Sequence, residues 1–456
     1  MTAIFDPACI APSQLHPFST LAEMTAPPLV IHSAEGITVM DARGRQLIDG
    51  SAGLWCVNVG YGRSEIVDAV ATQMNRLPFF HSFNGVANEP AAQLAARIVQ
   101  RAPKGIERVF FGNSGSDAND TAVKMIWLYN NLRRKPNKKK IVARSRAYHG
   151  VTVAAGSLTG LPSVHKSFDL PLPMVRHVSA PDSYRHPERD AAFYAQELDE
   201  LVFNEGADTI AAFFAEPVMG TGGVMLPPEG YFQAIREVCD RHDILLVLDE
   251  VISGFGRLGS WFGADHFNVR PDLMTSAKGL TSSYLPMSAV MVGEKVWSTL
   301  ENSLGENNAF AHGFTTSAHP VCAAAGLANL KIIEKENLVD RAGEMGELLL
   351  NTLREKCGNH PLVGDVRGCG LMVGVEAVAD RDSKTGFDAS LAVSARVRRA
   401  AIDSGLLVRA LSSDVLAFSP AFIVTPEEVQ SMASRFLTAL ELVASDLEAE
   451  RAWKPH

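Results

Sequence analysis

Apolar residues along this chain fall in short unbroken blocks, each closed by glycine or by a polar cluster. Residues 109–112, 141–144, 210–215 and the run that opens at Ile244 are such blocks, and they predict strands buried on both faces. Between them, residues 122–132 and 231–242 carry apolar positions at helical spacing, which predicts helices lying on a sheet. Strand and helix alternate in this way from about residue 109 to 292, so the larger part of the chain is expected to be α/β, a doubly wound and mostly parallel sheet. Ahead of it, residues 36–49 read as strand, turn, strand, and 66–77 as a helix. Behind it, an apolar helix over 321–335 leads to strands in 362–375 and 415–423 and helices in 391–404 and 427–446, a smaller α+β unit. The expected division is an N-terminal segment of the small domain over 1–60, the large domain over 61–320, and a linking helix with the C-terminal small domain over 321–456.

Composition narrows what such a fold can serve. With 456 residues, 46% hydrophobic and 20% charged, the chain can bury a large core. A net charge of -9 argues against nucleic acid or an anionic membrane as the main partner. Six cysteines, Cys9, Cys56, Cys239, Cys322, Cys357 and Cys369, form no C-x-x-C pair, the usage of reduced thiols in a cytoplasmic protein, with no metal site expected. No signal peptide is visible, and no apolar run approaches the ~20 residues that span a membrane. The cationic run 133–140 and the polar stretch 181–189 read as solvated surface loops.

Chemistry-bearing residues gather at the carboxyl ends of the expected strands, where open α/β sheets bind ligands. The strand opening at Ile244 delivers Asp249 and Glu250, and Lys278 follows among the small residues Ser276, Ala277 and Gly279. A buried carboxylate and a lysine at one ligand suit a carbonyl cofactor, with Lys278 as Schiff-base partner and Asp249 as partner of a ring nitrogen. An Asp-Glu pair after an apolar strand also occurs as a metal-binding element beside nucleotides, the less favoured reading of these residues. Ser114, Gly115 and Ser116 form a small-residue turn at a helix N-terminus, which fits a phosphate dianion or a plain N-cap. Tyr148, followed by His149, is placed either to stack on a planar ligand or to pack. Trp55 is a core plug or a pocket wall. Phe79, Phe80 and Phe83 suit a core or a subunit interface, and Phe18 suits packing as well as a pocket.

Taken in order, Ser114-Gly-Ser116, Tyr148-His-Gly150, Glu216-Pro217, Asp249-Glu-Val251, Gly254-Phe-Gly-Arg257, Ser276-Ala-Lys278, His312-Gly-Phe-Thr315 and His319-Pro320 make the chain resemble the class III, or ω-amino, aminotransferases of pyridoxal-phosphate fold type I. The resemblance covers nearly the whole length. It implies pyridoxal 5'-phosphate as cofactor, with Lys278 bonded to its carbonyl and acting as the proton-transferring base. It also implies Asp249 on the ring nitrogen, Tyr148 and Val251 on the two ring faces, and Ser114, Gly115 and Ser116 on the phosphate. Glu216 joins these contacts, and Thr315 would reach the phosphate of the neighbouring subunit, so the site would be complete only in a homodimer, alone or within a tetramer.

For substrate, Leu54 and Trp55 with Phe18 and Phe83 resemble the branch that takes ω-amino acids or amines with pyruvate as acceptor. Arg409 matches the arginine that binds a substrate carboxylate and swings aside for carboxylate-free amines. The 4-aminobutyrate branch carries a glutamate that pins this arginine, and Thr221 stands in its place. The expected reaction is therefore amino transfer from an ω-amino acid or primary amine to pyruvate. A 4-aminobutyrate or diamine:2-oxoglutarate aminotransferase, or a decarboxylase or aminomutase of the same fold, is the alternative.

Overall fold

Seven strands in the order Ile106–Gly112, Ser288–Gly293, Leu273–Ser276, Leu245–Asp249, Ile210–Ala215, Lys140–Arg144 and Val175–Val178 form the central sheet of the computed structural model, which describes residues 14–304 and 309–454. The opening residues 1–13, with Cys9, lie outside the described residues. Every residue of Ile210–Ala215 and of Leu245–Asp249 is buried, as their unbroken apolar sequences require. Each large apolar side chain so buried contributes roughly 1.5–3 kcal/mol.

The strand Ser288–Gly293 runs antiparallel to both of its neighbours, and the other adjacent pairs are parallel. Two reversals restore direction, so Ile106–Gly112 points the same way as Leu273–Ser276. Its carboxyl end therefore opens on the same sheet edge as those of the parallel strands.

Two four-stranded sheets flank this one. The first joins Ile31–Glu35, Thr38–Asp41 and Gln46–Asp49 to Leu406–Leu407, which pairs in parallel with the third of them. The second is ordered Val363–Cys369, Met372–Ala377, Val415–Phe418, Arg409–Ala410. Buried Arg257 stitches these regions to the loop beyond Asp249: it donates to Pro420 O and to Asn58 Oδ1, both at 2.6 Å, and its guanidinium lies over the Phe422 ring. No helix of the described residues is long and apolar enough to cross a membrane, and the five described cysteines are free.

Several elements depart from the sequence expectation. The helix expected from residue 122 begins at Gly115, because Ser114 and Asp117 form a capping box that starts it at once. Helices Glu89–Arg101, Ala191–Glu205 and Leu338–Cys357 are additional. In the first, alanines dilute the periodicity, although Leu94 and Ile98 are fully buried.

The cationic run is not simply solvated. Lys138 is buried and donates to His242 O at 2.9 Å and Asp243 O at 2.7 Å, while Arg133 and Lys135 share the Asp243 carboxylate. Nor is 181–189 a free excursion: Asp182 is buried against Arg146, and Arg185 pairs with buried Glu376.

Candidate active site

Five strand ends of the central sheet supply one cavity, lined among others by Gly115, Ser116, Tyr148, Glu216, Asp249, Val251 and Lys278. Asp249 ends its strand with both carboxylate oxygens accepting from protein donors. Oδ1 accepts from Val251 N at 3.0 Å, and Oδ2 lies 2.8 Å from both Asn119 Nδ2 and His149 Nδ1. Asn119 is itself oriented, since Thr275 Oγ1 donates to its Oδ1 at 2.8 Å. Three donors fix the direction of this carboxylate. His149 Nε2 is buried without a partner among the described residues.

Lys278 follows the strand Leu273–Ser276 with φ 32. The next residue has to be glycine: a Cβ on Gly279 would stand 2.5 Å from Asn58 Nδ2. Dense protein around the amine lowers the Lys278 pKa, with a further lowering from Arg409 against the raising influence of Cys56 and Asp249. The cavity leaves the side chain only partly exposed, so the amine is poised toward its neutral, nucleophilic form.

At the helix N-terminus, Ser114 Oγ accepts from Asp117 N, and the Asp117 carboxylate accepts from Asn113 N and Ser114 N. Ser114 is thus a cap outside the cavity lining. The N–H groups of Gly115 and Ser116 find no acceptor among the described residues, and Ser116 Oγ, accepting from Val151 N at 3.2 Å, keeps its own proton to donate. A Cβ on Gly115 would sit 3.1 Å from both Val251 methyls. The bare glycine therefore lets the helix end close on Val251 while its free N–H groups suit an anion such as a phosphate.

Glu216, buried, accepts from Tyr148 N at 3.1 Å and Gly220 N at 2.8 Å. Burial raises its pKa, against the opposing influence of His149 and Arg144. It shapes the backbone around the cavity and ties the aromatic Tyr148 to the 216–225 loop.

A second cavity of about 290 Å³ adjoins the first and shares Tyr148 and Lys278 with it. Its walls bring together Phe18, Leu54, Trp55, Thr221 and Arg409. Trp55 is both plug and wall, 2% exposed, with the Arg409 guanidinium 5.1 Å above its ring. The Asp49 carboxylate builds the turn that carries Trp55, accepting from Ser51 N, Gly53 N and Tyr61 Oη. Arg409 has no carboxylate partner among the described residues.

Phe83 and Thr315 lie in neither cavity. They stand in two segments packed on each other elsewhere: a Cβ on Gly313 would meet the Phe83 ring at 3.1 Å, and Ser82 Oγ donates to Ser317 O. Phe79, Phe80 and Phe83 are exposed there. Asn119 and His149 are the residues at Asp249 that sequence motifs left unassigned. His149 neighbours the stacking Tyr148, whereas Asn119 signals itself only by lying one helical turn beyond the phosphate turn.

The family model for aminotransferase class-III matches residues 20–440. The uncharacterized aminotransferase y4uB of Sinorhizobium fredii is 48% identical over 95% of both chains. A diaminobutyrate–2-oxoglutarate transaminase of Halomonas elongata is 44% identical, over 94% of this chain and 93% of its own. Among solved structures, the ω-transaminase from Pseudomonas jessenii in complex with PMP superposes with a TM-score of 0.92 at 42% identity, covering 95% of this chain and 97% of that one.

Proposed function

The chain belongs to the class-III aminotransferases, and on that premise we propose that it transfers the amino group of a β-alanine-like ω-amino acid or a primary amine to pyruvate, by a ping-pong mechanism in a homodimer. Its cofactor is pyridoxal 5'-phosphate, which when bound supplies the carbonyl that takes up the amino group and the ring that withdraws electrons from the substrate carbon.

The chain's own residues do the rest. Gly115 and Ser116 bind the phosphate through their free N–H groups, and the Ser116 hydroxyl adds a donor. Asp249, held by Asn119 and His149, keeps the ring nitrogen protonated. Tyr148 and Val251 bound the ring on its two faces. Lys278 Nζ would hold the cofactor carbonyl and would serve as the base that moves a proton to and from the substrate carbon. Thr315 and Phe83, remote from their own cavity, serve the partner's site across the apolar face of Phe79 and Phe80. Residues 61–320 form the cofactor-binding domain, and the terminal segments, joined by the pairing of Gln46–Asp49 with Leu406–Leu407, form the small one. A cytoplasmic setting suits the free thiols.

One observation carries the substrate reading: the Arg409 guanidinium lies over Trp55 in the second cavity without a carboxylate partner among the described residues, and neutral Thr221 shares that cavity. An arginine so placed recognises a carboxylate bidentately. The similarity to the diaminobutyrate–2-oxoglutarate transaminase supports a second reading, a diamine donor with 2-oxoglutarate.

A panel of amines offered singly to the holoenzyme tests the reaction class. A good donor should convert the bound cofactor to its aminated form, seen as loss of the long-wavelength absorbance, without release of carbon dioxide. Carbon dioxide release in step with the spectral change would instead identify a decarboxylase.

A further inference from the structure

The segment 221–223 carries Thr221 into the substrate cavity and ends in two glycines whose carbonyls are gripped by guanidinium groups from different parts of the fold. Arg146, from the central sheet's edge, donates through Nη2 to Gly222 O at 2.7 Å. Arg367, on the strand Val363–Cys369, donates through Nε to Gly223 O and Val224 O, each at 3.0 Å. Side chains at these positions would block the grip. A Cβ on Gly222 would stand 2.5 Å from Arg146 O, and one on Gly223, where φ is +126, would crowd guanidinium nitrogens of both arginines at 3.2 and 3.3 Å.

Both cations are neutralised within the protein. Arg146 pairs with Asp182 at 2.7 Å, and Arg367 pairs with Asp365 and with buried Glu376, each at 2.8 Å. Each cation is thus balanced inside the fold, and further donors of both act on backbone. The Arg409–Ala410 strand belongs to the same four-stranded sheet as Arg367. Thr221, tethered through Arg367, and Arg409 are thus set against each other by one sheet.

We propose that Arg367 is a positioning residue for substrate choice, fixing the 221–223 segment to the sheet that carries Arg409 and so setting the width of the cavity between Thr221 and Arg409. The proposal rests on that cavity being the substrate pocket.

Steady-state kinetics of the holoenzyme with pyruvate test it, using Arg367→Met, Arg367→Lys and Gly223→Ala, with Arg409→Ala as the control for the pocket. The expected result is a KM for the keto acid raised about 10-fold in Arg367→Met, with kcat within twofold and cofactor affinity unchanged. Arg367→Lys recovers part of the loss, and Gly223→Ala gives the same split. Unchanged KM, or equal losses in kcat, KM and cofactor affinity, would overturn the proposal. Should Arg367→Met fail to fold, Gly223→Ala decides. If Arg409→Ala leaves the keto-acid KM unchanged, the pocket assignment itself has failed; if Arg409→Ala raises it and the other variants do not, only the positioning role falls.

Discussion

His149 Nδ1 stands 2.8 Å from Asp249 Oδ2, with both side chains closed to solvent. A carboxylate only accepts, so the pair requires the imidazole proton on Nδ1. In His149→Ala, Asp249 keeps Asn119 and Val251 N but loses one buried, charge-assisted bond, a loss of roughly 1.5–3 kcal/mol. The expected outcome is a kcat reduced roughly 10- to 100-fold with the cofactor still bound. Thr275→Val, which removes only the neutral bond orienting Asn119, should cost less, about fivefold for ~1 kcal/mol. Rates and cofactor absorbance measured on the same preparations check both.

Arg409→Ala should weaken pyruvate and β-alanine far more than a carboxylate-free amine. A bidentate, partly buried pair of this kind amounts to roughly 2–3 kcal/mol, or about 30- to 150-fold in kcat/KM. Equal losses for all substrates would remove Arg409 from carboxylate recognition. Thr221→Glu tests the same cavity from the other wall: a carboxylate there competes for Arg409 and should raise the pyruvate KM.

Lys278 has a pKa lowered first by burial and further by Arg409. In the apoenzyme its amine is therefore neutral, and able to attack an aldehyde, at a lower pH than free lysine allows. Removing the Arg409 charge raises the pKa again. The midpoint of cofactor association against pH should thus move upward in Arg409→Gln, measured as the rate at which absorbance develops when cofactor is added at each pH.

Lys138 carries a pKa pushed down by burial to about 8 from an ordinary 10.5. Below pH 8 the amine is charged in both folded and unfolded chains. Between pH 8 and 10.5 the unfolded chain binds a proton that the folded chain does not, so stability attributable to this group rises with pH. Lys138→Met lacks that rise. The Tm of the parent protein relative to the variant should increase from pH 8 to pH 10, and a flat difference would show that Lys138 is charged when folded.

The central sheet is legible in the sequence because its strands are buried on both faces and read as unbroken apolar blocks, and the residues at their carboxyl ends announce a site by position alone. Lys278, Asp249, Tyr148 and Val251 meet in one cavity, and Trp55, Thr221 and Arg409 in the next. What the sequence hides depends on partners distant along the chain. Lys138 reads as one more surface cation until His242 and Asp243 bring their carbonyls to it. Asn119 is an ordinary helix residue until Asp249, 130 positions later, arrives as its acceptor. Alanine-rich Glu89–Arg101 carries too little apolar contrast to show its period, and the reversal of Ser288–Gly293 follows from connectivity that no local pattern encodes.

The choice of acceptor bears most directly on the whole account. Holoenzyme given one good amine donor and equal concentrations of pyruvate and 2-oxoglutarate should form alanine well ahead of glutamate, the outcome expected if Arg409, which has no carboxylate partner among the described residues, takes the one carboxylate of pyruvate beside Trp55 and neutral Thr221. Glutamate as the main product would contradict it.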